Sequence, residues 1–466
     1  MNRPIPTFAS TRVLGHMSEL RHAPVDLLLR IARERPELTR FRFGVLQPVV
    51  VSDPALVHQV LVEKADAFVK SYGLSLFARP LLGQGLLTLE RDAHRKRRRL
   101  LAPSFMPRRI AGYADEIAVR AERSTARLAE RSQIDVAAES MRLTLEIVMK
   151  TLFDAELSDA SDTVGSAFPR ALASVVEALT SPIPLPPPVP TPANLRLARA
   201  VRELDRIIYR VIAERRQRGH AGDDLLSVLL ASRDQDDGSQ LDDRELRDEL
   251  MTLMLAGHET TANSLAWTLY ALARAPEVRA RLEAELDALP PTRLGMQQLA
   301  ALPWTAQVIK EGMRLYPPVH MIARRSLRDV EVGPYLLKRG TVLFINIVGM
   351  HRRPDIFEDP ERFDPERFSP EREKALPKAA YLPFSGGPRV CIGNHFAMME
   401  AQLILATWLR DLRFELLEPA QRVDFDALIT LRPKGGLPLR IRKRHPEASR
   451  NLPLGSHEVT RDHPAA

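Results

Sequence analysis

The sequence predicts a mainly α-helical fold with small β-sheets, on three observations. Apolar residues recur at helical spacing through most of the chain from about residue 110 to 232. One unusually long helical candidate runs from Leu241 to Ala275. The strand candidates are short and lie towards the two ends of the chain. Length alone, at 466 residues, would allow two or three domains, and a chain of this size can bury a large core with a closed site for an apolar ligand.

In chain order, residues 1–20 read as an N-terminal extension, 21–444 as the main body and 445–466 as a polar tail expected to be disordered. Pro24 to Glu34 is an amphipathic helix. Phe41-Arg-Phe-Gly and Pro48-Val-Val-Val51 are two strands of a hairpin, and Asp53-Pro54 starts the next helix. Ser181 to Pro192 is too proline-dense for a helix. It reads as a rigid surface connector, and its apolar content also suits a lid over a ligand entrance. For the long helix, Asp242 with Glu245 makes a cap and Pro276 marks the end. Roughly 33 residues at about 1.5 Å rise would span on the order of 50 Å. After residue 290 come a helix ending near Pro317-Pro318, strands around Asp329–Val332 and Thr341–Ile347, and a proline- and charge-rich meander at 352–383. Another helix begins just after Cys391, and 427–442 reads as a hairpin turning at Lys434-Gly435-Gly436.

Composition narrows the function. The single cysteine excludes intramolecular disulfides, four-cysteine zinc sites and cysteine-ligated iron–sulfur clusters. It also suits a reducing compartment. No window approaches the ~18 consecutive apolar residues of a membrane span, and the first residues lack the apolar core of a secretory signal. A cytoplasmic location without a membrane anchor is expected. The net charge is +8, with the basic residues densest from Arg91 to Arg99. That run is a solvated helix face or, less simply, a nucleic-acid contact. No glycine fingerprint of a nucleotide-binding domain occurs, so an electron-supplying flavin or nicotinamide domain is not evident.

The decisive stretch is Phe384-Ser-Gly-Gly-Pro-Arg-Val-Cys391-Ile-Gly393. A lone cysteine is by default an inert packing residue. Here Gly386 and Gly387 allow positive φ, a turn that can aim N–H groups at one sulfur. A helix over 392–410 would set its N-terminus beside that sulfur and favour the thiolate. Gly393 removes a side chain where a flat cofactor could approach, and Arg389 can reach a carboxylate. These features suit an anionic sulfur held against a planar, acidic cofactor.

The pattern Phe-x-x-Gly-x-Arg-x-Cys-x-Gly, together with Phe396-Ala397 and Glu400, resembles the haem-binding signature of the cytochrome P450 family, at all five specified positions. The resemblance extends from about residue 40 to 442. It implies a single, mainly α-helical triangular prism with small sheets near one edge, and a haem b (iron protoporphyrin IX) ligated by Cys391. The implied activity is a monooxygenase reaction that inserts one atom of O2 into a hydrophobic substrate such as a fatty acid, terpenoid or steroid. Electrons would come from a separate ferredoxin- or flavodoxin-type donor with its reductase. In the long helix, Ala256-Gly-His-Glu-Thr-Thr-Ala262 is similar to the family's oxygen-activation motif, which places its acid and alcohol on Glu259 and Thr260; His258 reads as structural. A threonine hydroxyl can also compete for the i−4 carbonyl, so Thr260 could loosen the helix at Ala256. Glu311-Gly-Met-Arg314 resembles the family's Glu-x-x-Arg, and Asp364-Pro-Glu-Arg-Phe368 the motif that adds Arg367. These three would form a buried network locking the meander.

His94 and Arg98, at i and i+4, resemble the His-x-x-x-Arg of soluble bacterial members, whose side chains contact haem propionates; Arg324 is a third partner by analogy. The other basic residues of that run would form a positive face for an acidic electron-transfer protein, which leaves little reason for nucleic-acid binding. By analogy, pocket walls come from Tyr72, Leu74 and Phe77, the long helix and Val319 to Ile322, with Leu431 closing them. Two rivals remain open at this point: a peroxide-driven or isomerising haem-thiolate enzyme, which need not carry the acid–alcohol pair, and a haem sensor or carrier without turnover.

Overall fold

Asp242 opens the long helix with a reciprocal cap. Its Oδ1 accepts from the Glu245 backbone N–H at 2.7 Å, and Glu245 Oε2 accepts from the Asp242 N–H at 3.2 Å, so two donors that a helix start leaves unsatisfied are satisfied. The helix spans Asp243–Arg274, 32 residues, and is buried along most of its length from Leu246 to Leu272. Helices Val136–Phe153, Pro192–Arg218, Pro303–Leu315 and Asn394–Asp411 pack around it. The computed structural model describes residues 3–444 apart from 157–160, 182, 219–223, 232–237 and 239; the expected tail at 445–466 lies outside the described residues.

A six-stranded sheet forms one side, in the order Thr7–Phe8, Leu38–Phe41, Val49–Val51, Val342–Ile345, Ile322–Ser326, Phe68–Lys70. The expected hairpin forms with its first strand earlier than expected: Leu38–Phe41, and not Phe41–Gly44, pairs antiparallel with Val49–Val51. Thr7–Phe8 pairs in parallel with Arg40–Phe41, so part of the expected extension joins this sheet. Asp53 caps the next helix by accepting from the Leu56 N–H. A large apolar cluster fills the space between the helices, and two smaller ones lie against the sheet.

One expected hairpin is different. Leu431–Pro433 pairs with Phe425–Ala427 across the turn at Leu428–Thr430, while Pro438–Lys443 pairs with Leu412–Leu416 and Gln133–Asp135. Lys434-Gly435-Gly436 is therefore a corner between two sheets. Both glycines have positive φ, and a Cβ on Gly436 would lie 2.3 Å from the Asp135 carboxylate. A Gly-Gly signal marks a change of direction in either case, and only the pairing tells the two apart.

Glu311, Arg314 and Arg367 do come together, all buried. Arg314 grips Glu311 through two bonds, Nε to Oε2 at 2.6 Å and Nη2 to Oε1 at 2.8 Å. It also donates to the carbonyls of His351, Pro360 and Arg362. Arg367 lies 3.5 Å from Glu311, which also accepts from the Asp364 N–H at 2.8 Å. His351 then accepts the Leu382 N–H on Nε2 at 2.9 Å, which carries the restraint to the start of the cysteine loop.

Two predictions follow from these buried groups. Removing one partner of a buried pair strands the other charge, so Arg314→Ala is expected to lower unfolding free energy by about 3–5 kcal/mol, read as a shifted urea midpoint. His320 and His351 are pushed by burial from 6.5 to about 4 and about 3. The unfolded chain takes up these protons near pH 6.5 and the folded chain does not. Their contribution is thus whole above that pH and is lost as pH falls towards 4 and then 3. Urea midpoints should decline steadily on acidification below pH 6.5 and decline less in His351→Gln; a wild-type midpoint flat down to pH 4.5 contradicts this.

Candidate active site

The cysteine loop is closed by the Cys391 N–H donating to Phe384 O at 2.9 Å. Its tight turn uses Gly387, φ +65°, where a Cβ would lie 1.9 Å from Leu61 O. The second positive-φ residue is Ser385 at +61°, and Gly386 is extended at −154°, which corrects the pairing of Gly386 with Gly387. The following helix begins at Asn394 with Gly393 as its N-cap. A Cβ on Gly393 would meet only the Phe105 ring at ordinary contact, 3.7 Å. Protein packing alone therefore does not demand glycine there.

Cys391 is enclosed by protein, which pushes its thiol up from the ordinary value, yet its side chain is accessible. It therefore faces an interior space. The Gly393 backbone amide and Arg98 favour the thiolate, but burial outweighs them in the bare chain.

Basic side chains converge on one edge of that space. His94 is buried and Arg98 half-buried on helix Arg91–Leu101, and Arg98 Nη1 donates to Val390 O at 2.8 Å, one residue before the cysteine. Arg389 bonds Leu89 O and the Glu90 carboxylate. Arg324 and Lys70, both buried, stand directly opposite each other on paired strands; like charges so placed repel. Burial and then the neighbouring Arg389 hold Lys70 down at about 7 and Arg324 at about 10. His94 is pushed to about 3 by burial, then by Arg389, Lys70 and Arg98. Of the acids facing Lys70, Glu90 is bonded to Arg389 and Glu249 to Arg97. The edge is short of negative charge.

The long helix carries an accessible strip. Between buried neighbours, Ala256 is exposed and Thr260 partly so. Thr260 Oγ1 donates to Ala256 O at 2.7 Å, as the i−4 reading expects, and the helix continues unbroken through it. Glu259 turns the other way: its Oε1 accepts from Thr430 and Arg432 on hairpin 425–433. His258 is buried against Phe168. Val319, Met321 and Ile322 are partly accessible, while Phe77 is buried in the main core and Leu431 packs with Val25, Leu28 and Phe41. Leu431 is core rather than pocket wall, because its N–H is fastened to Pro318 O and its side chain faces the N-terminal cluster.

The family model described as Cytochrome P450 matches residues 5–439. The chain belongs to the cytochrome P450 family. It is 33% identical over 439 residues to pentalenene oxygenase of Streptomyces avermitilis, covering 93% of this chain and 96% of that one. It is 32% identical over 405 residues to cyclooctat-9-en-7-ol 5-monooxygenase of Streptomyces melanosporofaciens, covering 85% and 86%. A crystal structure of the cytochrome P450DA heme domain superposes with a TM-score of 0.86 at 28% identity, over 96% of this chain and 98% of that one. The chain is accordingly a mainly helical haem-thiolate monooxygenase that works with O2, a substrate and a redox partner.

The residues present fit a haem. One accessible sulfur faces an interior space, an edge short of negative charge suits two propionates, and among the described residues no three His, Cys, Asp or Glu side chains gather to hold a metal by themselves. Nor is any described helix long and apolar enough to cross a membrane. The sequence reading missed Lys70 and Glu90, which no motif marks; strand pairing alone sets Lys70 against Arg324. It also placed Arg97 on the surface, whereas Arg97 is buried against Glu245 and Glu249 at 2.8 and 2.6 Å. Lys70→Met should weaken haem retention by removing a buried cation that the propionates would neutralise, and competition with a haem scavenger measures it. Retention equal to wild type would remove Lys70 from the cofactor edge.

Proposed function

We propose that Cys391 is the thiolate that would hold the haem iron of this cytochrome P450, and that the enzyme hydroxylates an apolar, unsaturated cyclic molecule. The observation that carries the assignment is an accessible sulfur inside the chain, beside a basic edge short of counter-charge. When bound, haem supplies the activation of dioxygen, with one oxygen atom entering the substrate and the other leaving as water. The protein residues bind, orient and move protons. Arg98, His94, Arg324, Arg389 and Lys70 would hold the propionates, and Phe384, Gly387 and Gly393 shape the loop that carries Cys391. Arg98 also fixes the carbonyl preceding the cysteine.

Thr260 would present its hydroxyl to bound dioxygen from the accessible strip of the long helix. Glu259 would supply the proton path behind it. Of the expected walls, Ala256, Val319, Met321 and Ile322 are at least partly accessible, and all four are apolar. This favours the terpenoid arm of the expected substrates over fatty acids. The two relatives point the same way, since their printed names denote an unsaturated alcohol and an unsaturated hydrocarbon. Arg91, Arg95 and Arg99 are exposed on the helix that carries Arg98, and they suit docking of an acidic ferredoxin- or flavodoxin-type donor. The lone cysteine supports a cytoplasmic setting.

Three outcomes test this reading. The reduced protein under carbon monoxide should show a thiolate-type spectrum that Cys391→Ser abolishes; persistence in the variant overturns the ligand assignment. A library of apolar compounds should shift the spin state with cyclic alkenes and alcohols ahead of fatty acids, the reverse order arguing against the substrate class. Thr260→Ala should divert electrons from product to peroxide or water, and unchanged coupling would remove Thr260 from the mechanism.

A further inference from the structure

The acid expected to serve proton delivery is not aimed at Thr260. Glu259 is 1% exposed, and its Oε1 takes Nε of Arg432 at 2.7 Å, Nη2 of the same guanidinium and the Thr430 hydroxyl. Its Oε2 is buried with no hydrogen-bond partner. Arg432, by contrast, has a side chain 12% exposed, so the pair reaches from the interior towards solvent. The neighbouring His258 is held neutral by burial and brings no competing charge.

Three further contacts fasten the hairpin to the same stripe of the long helix. Asn263 Nδ2 donates to Thr430 Oγ1 at 3.4 Å, Trp267 Nε1 donates to Leu431 O at 3.0 Å, and Leu431 N–H donates to Pro318 O at 2.9 Å. Glu259, Asn263 and Trp267 are spaced at i, i+4 and i+8, one face of a helix. The turn between the strands carries Leu428 and Ile429, which pack on the main apolar cluster. One short turn therefore joins apolar side chains to the partners of a buried carboxylate.

We propose that Arg432 is a positioning residue for the reaction: with Thr430 it anchors Oε1 of Glu259 and so leaves Oε2 as the oxygen that can pass a proton between solvent and site. The inference rests on Glu259 acting as the proton-delivering acid. The physical basis is that a buried carboxylate that loses its guanidinium partner is left uncompensated and must change its position or its partners. The unpaired Oε2 of Glu259 is where the exchanging proton resides while Oε1 stays anchored.

The test uses haem-loaded protein with an electron-donor system and a turned-over substrate. Arg432→Ala should lower product per electron pair by about 10-fold and raise the solvent isotope effect on turnover, against the roughly 100-fold or more expected for loss of the acid itself. Arg432→Lys, which keeps the charge, should restore most of the coupling. The double variant Glu259→Gln/Arg432→Ala should be no worse than Glu259→Gln alone. The carbon monoxide spectrum and the substrate-induced spin shift serve as folding controls; should Arg432→Ala not fold, Thr430→Val and Arg432→Lys carry the test, with a smaller loss expected in each. If Glu259→Gln impairs coupling and the Arg432 and Thr430 variants do not, the hairpin inference is overturned and the role of Glu259 stands. If Glu259→Gln couples like wild type, the proton role of Glu259 is overturned and Arg432 has no part in the reaction. Two separable losses in the double variant would also overturn it.

Discussion

The buried pair of Glu311 and Arg314 is the constraint on which the rest of the site depends. A guanidinium at the end of one helix satisfies a carboxylate and three carbonyls of a meander that has little regular structure of its own. Without such a partner, the backbone between His351 and Arg362 would have to find its hydrogen bonds elsewhere or stay wet. Through His351 and Leu382 the restraint extends to the loop that holds Cys391. Stability and chemistry are therefore joined by a chain of hydrogen bonds.

Electrostatics divides the interior into two regions. On the cysteine side the chain collects positive charge that its own acids do not balance, so the apoprotein carries repulsion that a dianionic porphyrin would relieve. Along the long helix, three successive hydroxyls near the accessible strip are instead bonded to the helix's own carbonyls. Thr260 bonds Ala256 O, Thr261 bonds Gly257 O and Ser264 bonds Thr260 O, which keeps a run of hydroxyls compatible with a helix that is otherwise apolar and buried.

How much was legible in the sequence follows from distance along the chain. The cysteine loop, the Glu311–Arg314 pair and the long helix with its cap each depend on residues within a few positions of one another, and motif and spacing were enough to find them. Lys70 and Arg324 are opposed only because strands 254 residues apart in number are neighbours in a sheet. Glu259 and Arg432 meet across 173 positions. No local pattern records such encounters. The Lys434-Gly435-Gly436 corner shows a second limit: backbone freedom was read correctly and its use was not. Ser385 shows a third, since it adopts the left-handed conformation that the glycine beside it was expected to take.

Helix Arg91–Leu101 has two unlike faces. Inward, Arg97 is gripped by Glu245 and Glu249 of the long helix, and Arg98 holds the carbonyl before the cysteine. Outward, Arg91, Arg95 and Arg99 face water. Because Arg97 and Arg98 fasten this helix to the long helix and to the cysteine loop, a change of charge on its outer face leaves those two anchors in place.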